Sequence, residues 1–249
     1  MEHNGLFFEE REFGEGLAVT GCCAGITRLH VPARVDGVPV TAIAEEAFMG
    51  NNELVEVTVE EPDSDMIMSF CTFDNIGMSA FRNCSSLIRI TVPHGDVSLG
   101  HGAFAGCSKL RTARLGKSVS IGEYSFYECE ALTTLSPIYC VGEGGLEDCT
   151  ALTGVVFDSC ACEIGEDAFR GSGVTEITIP ATLTHIGQDA FRSCTALHRV
   201  TFENPEGWYW ECAYYSGKQP LDVSDPAQNA ESLRTMDFDD GVLWWKREK

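Results

Sequence analysis

The sequence predicts an α/β solenoid, a strand-dominated right-handed superhelix with short helical turns and a cap at each end. Three observations predict it. One phrase recurs: IGQDAFRSCTALHRVTF from Ile186, IGEDAFRGSGVTEITIP from Ile164 and IGMSAFRNCSSLIRITVP from Ile76, with looser copies from Ile43, Leu99, Ile121 and Val141. After a first gap of 33 residues, the copies follow at 23, 22, 20, 23 and 22. A unit this short cannot bury its own apolar side, so neighbours must stack and share one core. Copies also close on alternating residues, as in Arg89-Ile90-Thr91-Val92 followed by Pro93. Period-two alternation with β-branched residues is a short strand, and proline ends it because it brings no N–H for a further ladder bond.

Taken in order, residues 1–35 read as an N-terminal cap and degenerate first coil, since Leu29-His30-Val31-Pro32 imitates the end of a repeat strand. Residues 36–202 hold the seven repeats. Their strands stack into a parallel sheet with one face inward. A second, shorter extended piece leads into each Ile-Gly, as in Val119-Ser120-Ile121, and the glycine that follows marks a tight bend or a close approach of backbones. The Asp/Glu-x-Ala-Phe stretch reads as a single helical turn whose Phe48, Phe81, Phe104, Phe126, Phe169 and Phe191 stack into an apolar spine. Two places depart from the pattern. An insert at 60–75 carries an apolar centre from Met66 to Phe73, and the copy from Val141 is short, with Gly145-Leu146 in place of Ala-Phe. A weak point or bend is expected at the latter. Residues 203–249 break the repeat and are rich in aromatics, including Trp208, Trp210, Trp244 and Trp245. An open solenoid end exposes its core, so this segment is read as the C-terminal cap. Within it, Asp225-Pro226 is a helix start, giving a helix from Pro226 to about Thr235.

Composition narrows the function. The chain is 44% hydrophobic, too apolar for a disordered segment. No run of about 18 apolar residues offers a membrane span. The net charge is −21, and residues 1–65 alone hold 14 acids against 3 bases. A nucleic-acid binder needs a basic footprint, and none is visible. No basic segment followed by an apolar one opens the chain, so it reads as cytoplasmic as it stands, with the cell surface as the alternative if an export signal precedes it. Twelve cysteines could suggest a disulfide framework, but Cys84, Cys107, Cys129, Cys149 and Cys194 share one repeat slot with Asn51 and Ser172. That slot suits a ladder in which each short side chain donates to a backbone carbonyl of its own coil. The five are therefore read as reduced, buried thiols. Cys22-Cys23 and Cys160-Ala161-Cys162 lack a second pair at zinc spacing, and the six histidines show no ligand spacing. No metal, no cofactor and no catalytic residue is assigned, and the chain is read as not an enzyme.

The unit Ile-Gly-x-x-Ala-Phe-x-x-Cys-x-x-Leu-x-x-Ile-x-Ile-Pro resembles that of the BspA-like leucine-rich repeat family of bacterial and some protozoan proteins. Gly37-Val38-Pro39-Val40-Thr41-Ala42-Ile43 is similar to the segment that often precedes that family's first full repeat, and the tail around Gly207-Trp208-Tyr209 is similar to a C-terminal segment of bacterial members. The resemblance implies an α/β leucine-rich-repeat solenoid. It also implies a role in binding proteins, matrix or cells, with no shared catalytic residues.

The candidate site is the outward row of the sheet. In chain order it holds Glu56 and Thr58, Arg89 and Thr91, Thr112 and Arg114, Thr134 and Ser136, Gly154 and Val156, Glu176 and Thr178, and Arg199 and Thr201. Three arginines against two glutamates make it slightly basic on a strongly acidic chain. Threonine also suits any exposed strand face. The expected function is a non-enzymatic protein–protein interaction scaffold that meets a protein partner here. The alternative is a structural or cell-surface adhesion module of a bacterial envelope. The insert, through Met66, Ile67 and Phe70, is the rival surface.

Overall fold

A computed structural model describes residues 1–12, 15–64, 66, 72–212, 218–235 and 243–247. The chain winds as a strand-dominated solenoid of about eight turns. Each coil has three sides, and each side is tied to the next coil by backbone hydrogen bonds.

The first side is the sheet that the repeat endings predict. Arg28–Val31, Glu56–Val59, Arg89–Val92, Thr112–Leu115 and Thr134–Leu135 pair in parallel, in that order. Inward residues such as Ile90, Val92, Ala113 and Leu115 are buried, as the alternation requires. The sheet then stops. No strand forms at 153–157, where one isolated bridge joins Ile138 to Phe157, and pairing resumes only between Glu176–Ile179 and Arg199–Phe202. This interruption falls in the copy from Val141, which carries Gly145-Leu146 in place of Ala-Phe; that copy runs 23 residues, and the short one, of 20, is the copy before it from Ile121.

The second side is built by the extended pieces before each Ile-Gly, and it is the larger of the two sheets. It runs from an antiparallel N-terminal edge (Glu2–His3, Leu6–Glu10, Leu17–Cys22) through parallel strands that include Asn75–Ile76, Asp96–Leu99, Ser118–Ile121 and Ile138–Val141. The residues that open the repeat copies fall in register: Ile43 opposite Ile76, Ile76 opposite Leu99, Ile121 opposite Val141, Val141 opposite Ile164, and Ile164 opposite Ile186. The glycine that follows each of them except Ile43, which precedes Ala44, serves close approach. A Cβ on Gly100 would lie 2.5 Å from the Met78 nitrogen.

The third side differs in detail from a helical turn. Its bonds run from residue i to i−3, as in Ala80 N–H to Gly77 O (3.2 Å), Arg82 to Ser79 (3.0 Å) and Cys84 to Phe81 (3.0 Å). Ser79 and Asn83 take positive φ (54° and 60°), and the same two slots, four residues apart, are left-handed in the other copies. A left-handed residue interrupts an α-helix and turns alternate N–H groups outward along the stack. Ser79, Phe81 and Asn83 accordingly donate to His101, Ala103 and Ala105 of the next coil (2.9, 2.7 and 2.8 Å). The phenylalanine between the two left-handed residues points inward. Rings of Phe48, Phe81, Phe104 and Phe126 stack at centroid spacings of 5.2 Å with interplanar angles of 11°, 3° and 5°. Leu146 interrupts the spine, and Phe169 and Phe191 resume it at 5.1 Å.

The cysteine ladder exists, with one correction. Each thiol donates to the carbonyl of the phenylalanine in the preceding coil, not in its own: Cys84 to Phe48 (3.0 Å), Cys107 to Phe81 (3.0 Å), Cys129 to Phe104 (3.2 Å), Cys149 to Phe126 (3.2 Å) and Cys194 to Phe169 (2.9 Å). All five are buried and free. Asn51, in the first copy, instead accepts from the N–H groups of Glu53 and Leu54 within its own coil.

At the C-terminal end, Leu243–Arg247 pairs antiparallel with His185–Ile186 and with Trp208–Cys212. Phe202 packs against Trp208 (4.9 Å) and Trp245 (6.2 Å). The helix Pro226–Thr235 starts where the sequence places it, with Asp225 Oδ1 accepting from Ala227 and Gln228. Its buried Asn229 donates to the carbonyls of Val200 and Val223 (3.0 and 2.9 Å), which ties the tail to the last repeat strand.

Candidate functional site

The first sheet's register determines which outward side chains are neighbours. Glu56 stands opposite Arg89, Arg89 opposite Thr112, and Thr112 opposite Thr134. Two positions along, Thr58 stands opposite Thr91 and Thr91 opposite Arg114. Adjacent strands lie about 4.8 Å apart, so these residues form two parallel files on one surface. After the interruption, Glu176 faces Arg199 and Thr178 faces Thr201. The row is therefore two patches separated by the coil that carries Gly154 and Val156.

Charge within the files is unequal. Arg89 lies 3.4 Å from Glu56, and Arg28 reaches the same carboxylate at 3.8 Å. Glu176 pairs with His198 at 3.3 Å. Arg114 and Arg199 are exposed, and neither side chain has a hydrogen bond or ion pair among the described residues. Arg28 and His30, which extend the files at their N-terminal end opposite Glu56 and Thr58, were missed by sequence reasoning. Leu29-His30-Val31-Pro32 carried the signal, because the residues flanking Leu29 in a repeat-like strand must share the outward face.

The interruption shapes the second patch. A cleft of about 330 Å³ opens there, lined by Val156, Glu176, Thr178, Arg199 and Thr201 among others. Val156 is 68% exposed at its edge. An apolar side chain, a guanidinium, two threonine hydroxyls and the carboxylates of Glu176 and Glu203 thus meet in one concavity. The rival insert is less available: Met66 is buried, and Asp63 pairs with Arg34 at 3.0 Å. Ile67 and Phe70 lie outside the described residues.

Reactive chemistry does not gather. Among the described residues no group of three His, Cys, Asp or Glu side chains is placed to hold a metal ion. His94, His101 and His198 each meet a single carboxylate, of Glu61, Glu123 and Glu176. Burial pushes the thiols of Cys107, Cys129, Cys149 and Cys194 up, which makes them poor nucleophiles. Among the described residues no helix is long and apolar enough to cross a membrane.

Comparison with known proteins agrees with this architecture. The chain is similar to a leucine-rich cell surface protein of Faecalibacterium prausnitzii, with 26% identity and a TM-score of 0.67 over 84% of this chain. It spans 55% of that protein's length. It is also similar in fold to the leucine-rich repeat protein of T. pallidum, at 21% identity and a TM-score of 0.56, covering 82% of this chain and 83% of the other. No curated protein matches the sequence. The family profile described as the BspA-type leucine-rich repeat region matches in six copies over residues 41–138 and 135–208. With the recurring Ile-Gly, the stacked phenylalanines and the three-sided coil inside those bounds, the chain belongs to the BspA-type leucine-rich repeat family.

Proposed function

We propose that this protein is a non-enzymatic scaffold that binds a protein partner on the outward row of its first sheet. Leucine-rich repeat proteins of this kind are in general interaction or surface modules. The observation that carries the finer reading is the patch after the interruption. There, four of the candidate residues (Glu176, Thr178, Arg199 and Thr201) line one cleft beside the exposed Val156. Among the described residues the Arg199 side chain has no partner there, nor has that of Arg114 on the first patch. A guanidinium offers a planar fork to a carboxylate, and arginine is enriched at interface hot spots. The partner segment that fits offers one carboxylate to Arg199, hydrogen-bond donors to Glu176 and Glu203, and a small apolar side chain to the cleft.

The test replaces Arg89, Arg114 and Arg199 together with Glu. All three side chains face solvent, and the like charges created opposite Glu56 and Glu176 cost about 1 kcal/mol or less each, so the protein stays folded with a fall in melting temperature of no more than about 4–8 °C. The parent immobilised over extract of the source cell captures a protein, and the triple variant does not. Capture that survives the triple change rules out this face.

A second reading is an adhesion module of the bacterial envelope. It is favoured by the Faecalibacterium protein, which is described as a cell surface protein. Protease treatment of intact source cells separates the readings, because only a surface module is digested.

A further inference from the structure

The second sheet carries a feature that the first does not. Its parallel ladder contains a β-bulge: Val119 pairs with Ile138 and Ser120 with Cys140, so Tyr139 is an extra, unpaired residue. A bulge re-aims a side chain, and Tyr139 is 43% exposed on the outer face. Beside it lies a cleft of about 520 Å³, within the size range of small-ligand sites. Asp96, Ser98, Ser118 and Ser120 enter its lining from two adjacent strands, with Asp96 opposite Ser118 and Ser98 opposite Ser120. The turn after the interrupted coil contributes Asp158, whose Oδ1 accepts from the Cys160 N–H at 2.7 Å.

Ser118 supplies the independent observation. The residue is only 6% exposed, and its hydroxyl finds no hydrogen-bond partner among the described residues. Buried hydroxyls are almost always paired, and an unpaired one costs about 1–3 kcal/mol. Rotation of this side chain toward the cleft, which Ser118 also lines, would let a ligand hydroxyl relieve that cost. The chemistry of the lining narrows the ligand. Among the described residues two carboxylates and no Lys, Arg or His line the cleft, which disfavours anions. Serine hydroxyls both donate and accept, which suits a ligand that does the same and not a bare cation. Carboxylates accept from adjacent hydroxyls, and the Tyr139 ring presents an apolar face with a polar tip. We propose that this cleft binds a neutral saccharide, with Asp96 and Asp158 accepting from its hydroxyls, the serines bonding around it and Tyr139 packing on the face of the ring. The site is separate from the outward row of the first sheet and stands whether or not that row binds a protein.

The experiment is saturation-transfer NMR on the full chain. The probes are the methyl glycosides of glucose, galactose, mannose and N-acetylglucosamine, each up to about 20 mM, with spermidine as the cationic control. At least one glycoside binds, with a Kd on the order of 1 mM for so open a site. Asp96→Asn with Asp158→Asn, which keeps the acceptor oxygen at Cys160 N–H, weakens it about tenfold or more, and Tyr139→Ala does likewise. Ser118→Ala weakens binding several-fold while leaving the melting temperature equal or higher, because it removes an unsatisfied group. Arg114→Glu with Arg199→Glu leaves glycoside binding unchanged. The proposal is overturned if no glycoside gives transfer, if the Asn pair and Tyr139→Ala variants bind as the parent does, or if spermidine alone binds.

Discussion

Replacing Phe126 with Ala tests the stacked core directly. The side chain is 0% exposed, and its ring stacks on Phe104 at 5.2 Å and 5°. On the other side the repeat supplies Leu146, so Phe126 is the last ring of the first run. Alanine keeps the backbone contacts of this position: Phe126 N–H to Gly145 O (2.9 Å), and the Phe126 carbonyl accepting from Cys149 Sγ (3.2 Å). The loss is therefore almost purely packing. Truncating a buried phenylalanine costs about 3–5 kcal/mol from transfer and cavity together. The lost ring stacking is about 0.5–1.5 kcal/mol of that. For a chain of this size each kcal/mol shifts the melting temperature by about 2–4 °C, so the expected fall is about 6–20 °C.

The control is Phe7→Ala on the N-terminal edge, where the ring is 39% exposed and the cost is about 1 kcal/mol or less. Urea unfolding followed by circular dichroism reads both variants, and an unchanged m-value shows that the same surface unfolds. Equal midpoint shifts for the two variants would refute the reasoning, since the spine would then hold no more than an edge residue does.

Three further outcomes follow from the packing. Cys84, Cys107, Cys129, Cys149 and Cys194 should all alkylate once the chain is denatured without reductant, and linked pairs in peptide mapping would contradict the ladder. Burial raises four of these thiols in the folded state, so their contribution to stability is complete below the ordinary thiol pKa of about 8.5 and is lost as pH rises above it. Cys84, lowered by its bond with Cys107, opposes this in part. The melting temperature should thus fall between about pH 8 and 10, and a flat profile would contradict it. Truncation after Phe202 removes Trp208, Trp245 and the Asn229 bonds to Val200. We propose residues 203–249 as a cap, so this fragment should aggregate or melt over a broader range. A monomeric fragment with unchanged melting would assign the tail to recognition.

Most of the fold is legible in the sequence because each inward position is written several times. Phe81, Phe104 and Phe126 meet the same neighbours one coil apart, so the same residue recurs and the periodicity is visible without coordinates. The strand after each copy and the helix start at Asp225-Pro226 are equally local signals. What escaped has physical reasons. The third side looks helical because i to i−3 contacts place an apolar residue inward just as one helical turn would. Only the positive φ values at the two slots separate the two; Gly50, Gly102, Gly106, Gly144 and Gly171 mark some of them, but Ser79, Asn83, Tyr124 and the other occupants do not mark such a φ as glycine does. The thiols bond to the previous coil and not their own because the left-handed residues bring each cysteine beneath the neighbouring carbonyl, a relation between coils that no single copy records.

The surface obeys a different logic. An outward threonine on a strand is chosen by the strand as readily as by a partner, so the row of Thr58, Thr91, Thr112, Thr178 and Thr201 carries little information by itself. Information lies where the repeat is broken against its own cost. The coil from Gly154 to Phe157 gives up a strand and leaves Val156 exposed. One coil earlier on the opposite sheet, the bulge at Tyr139 gives up a ladder position and turns an aromatic outward. Both irregularities fall between Thr134 and Asp158, the stretch where the 20-residue copy from Ile121 ends and Leu146 interrupts the spine. A regular coil there would restore the sheet, the spine and the ladder at once. Its absence places the two concavities, one on each sheet, at the single stretch where the array departs most from itself, and recognition should be sought there before anywhere along the regular coils.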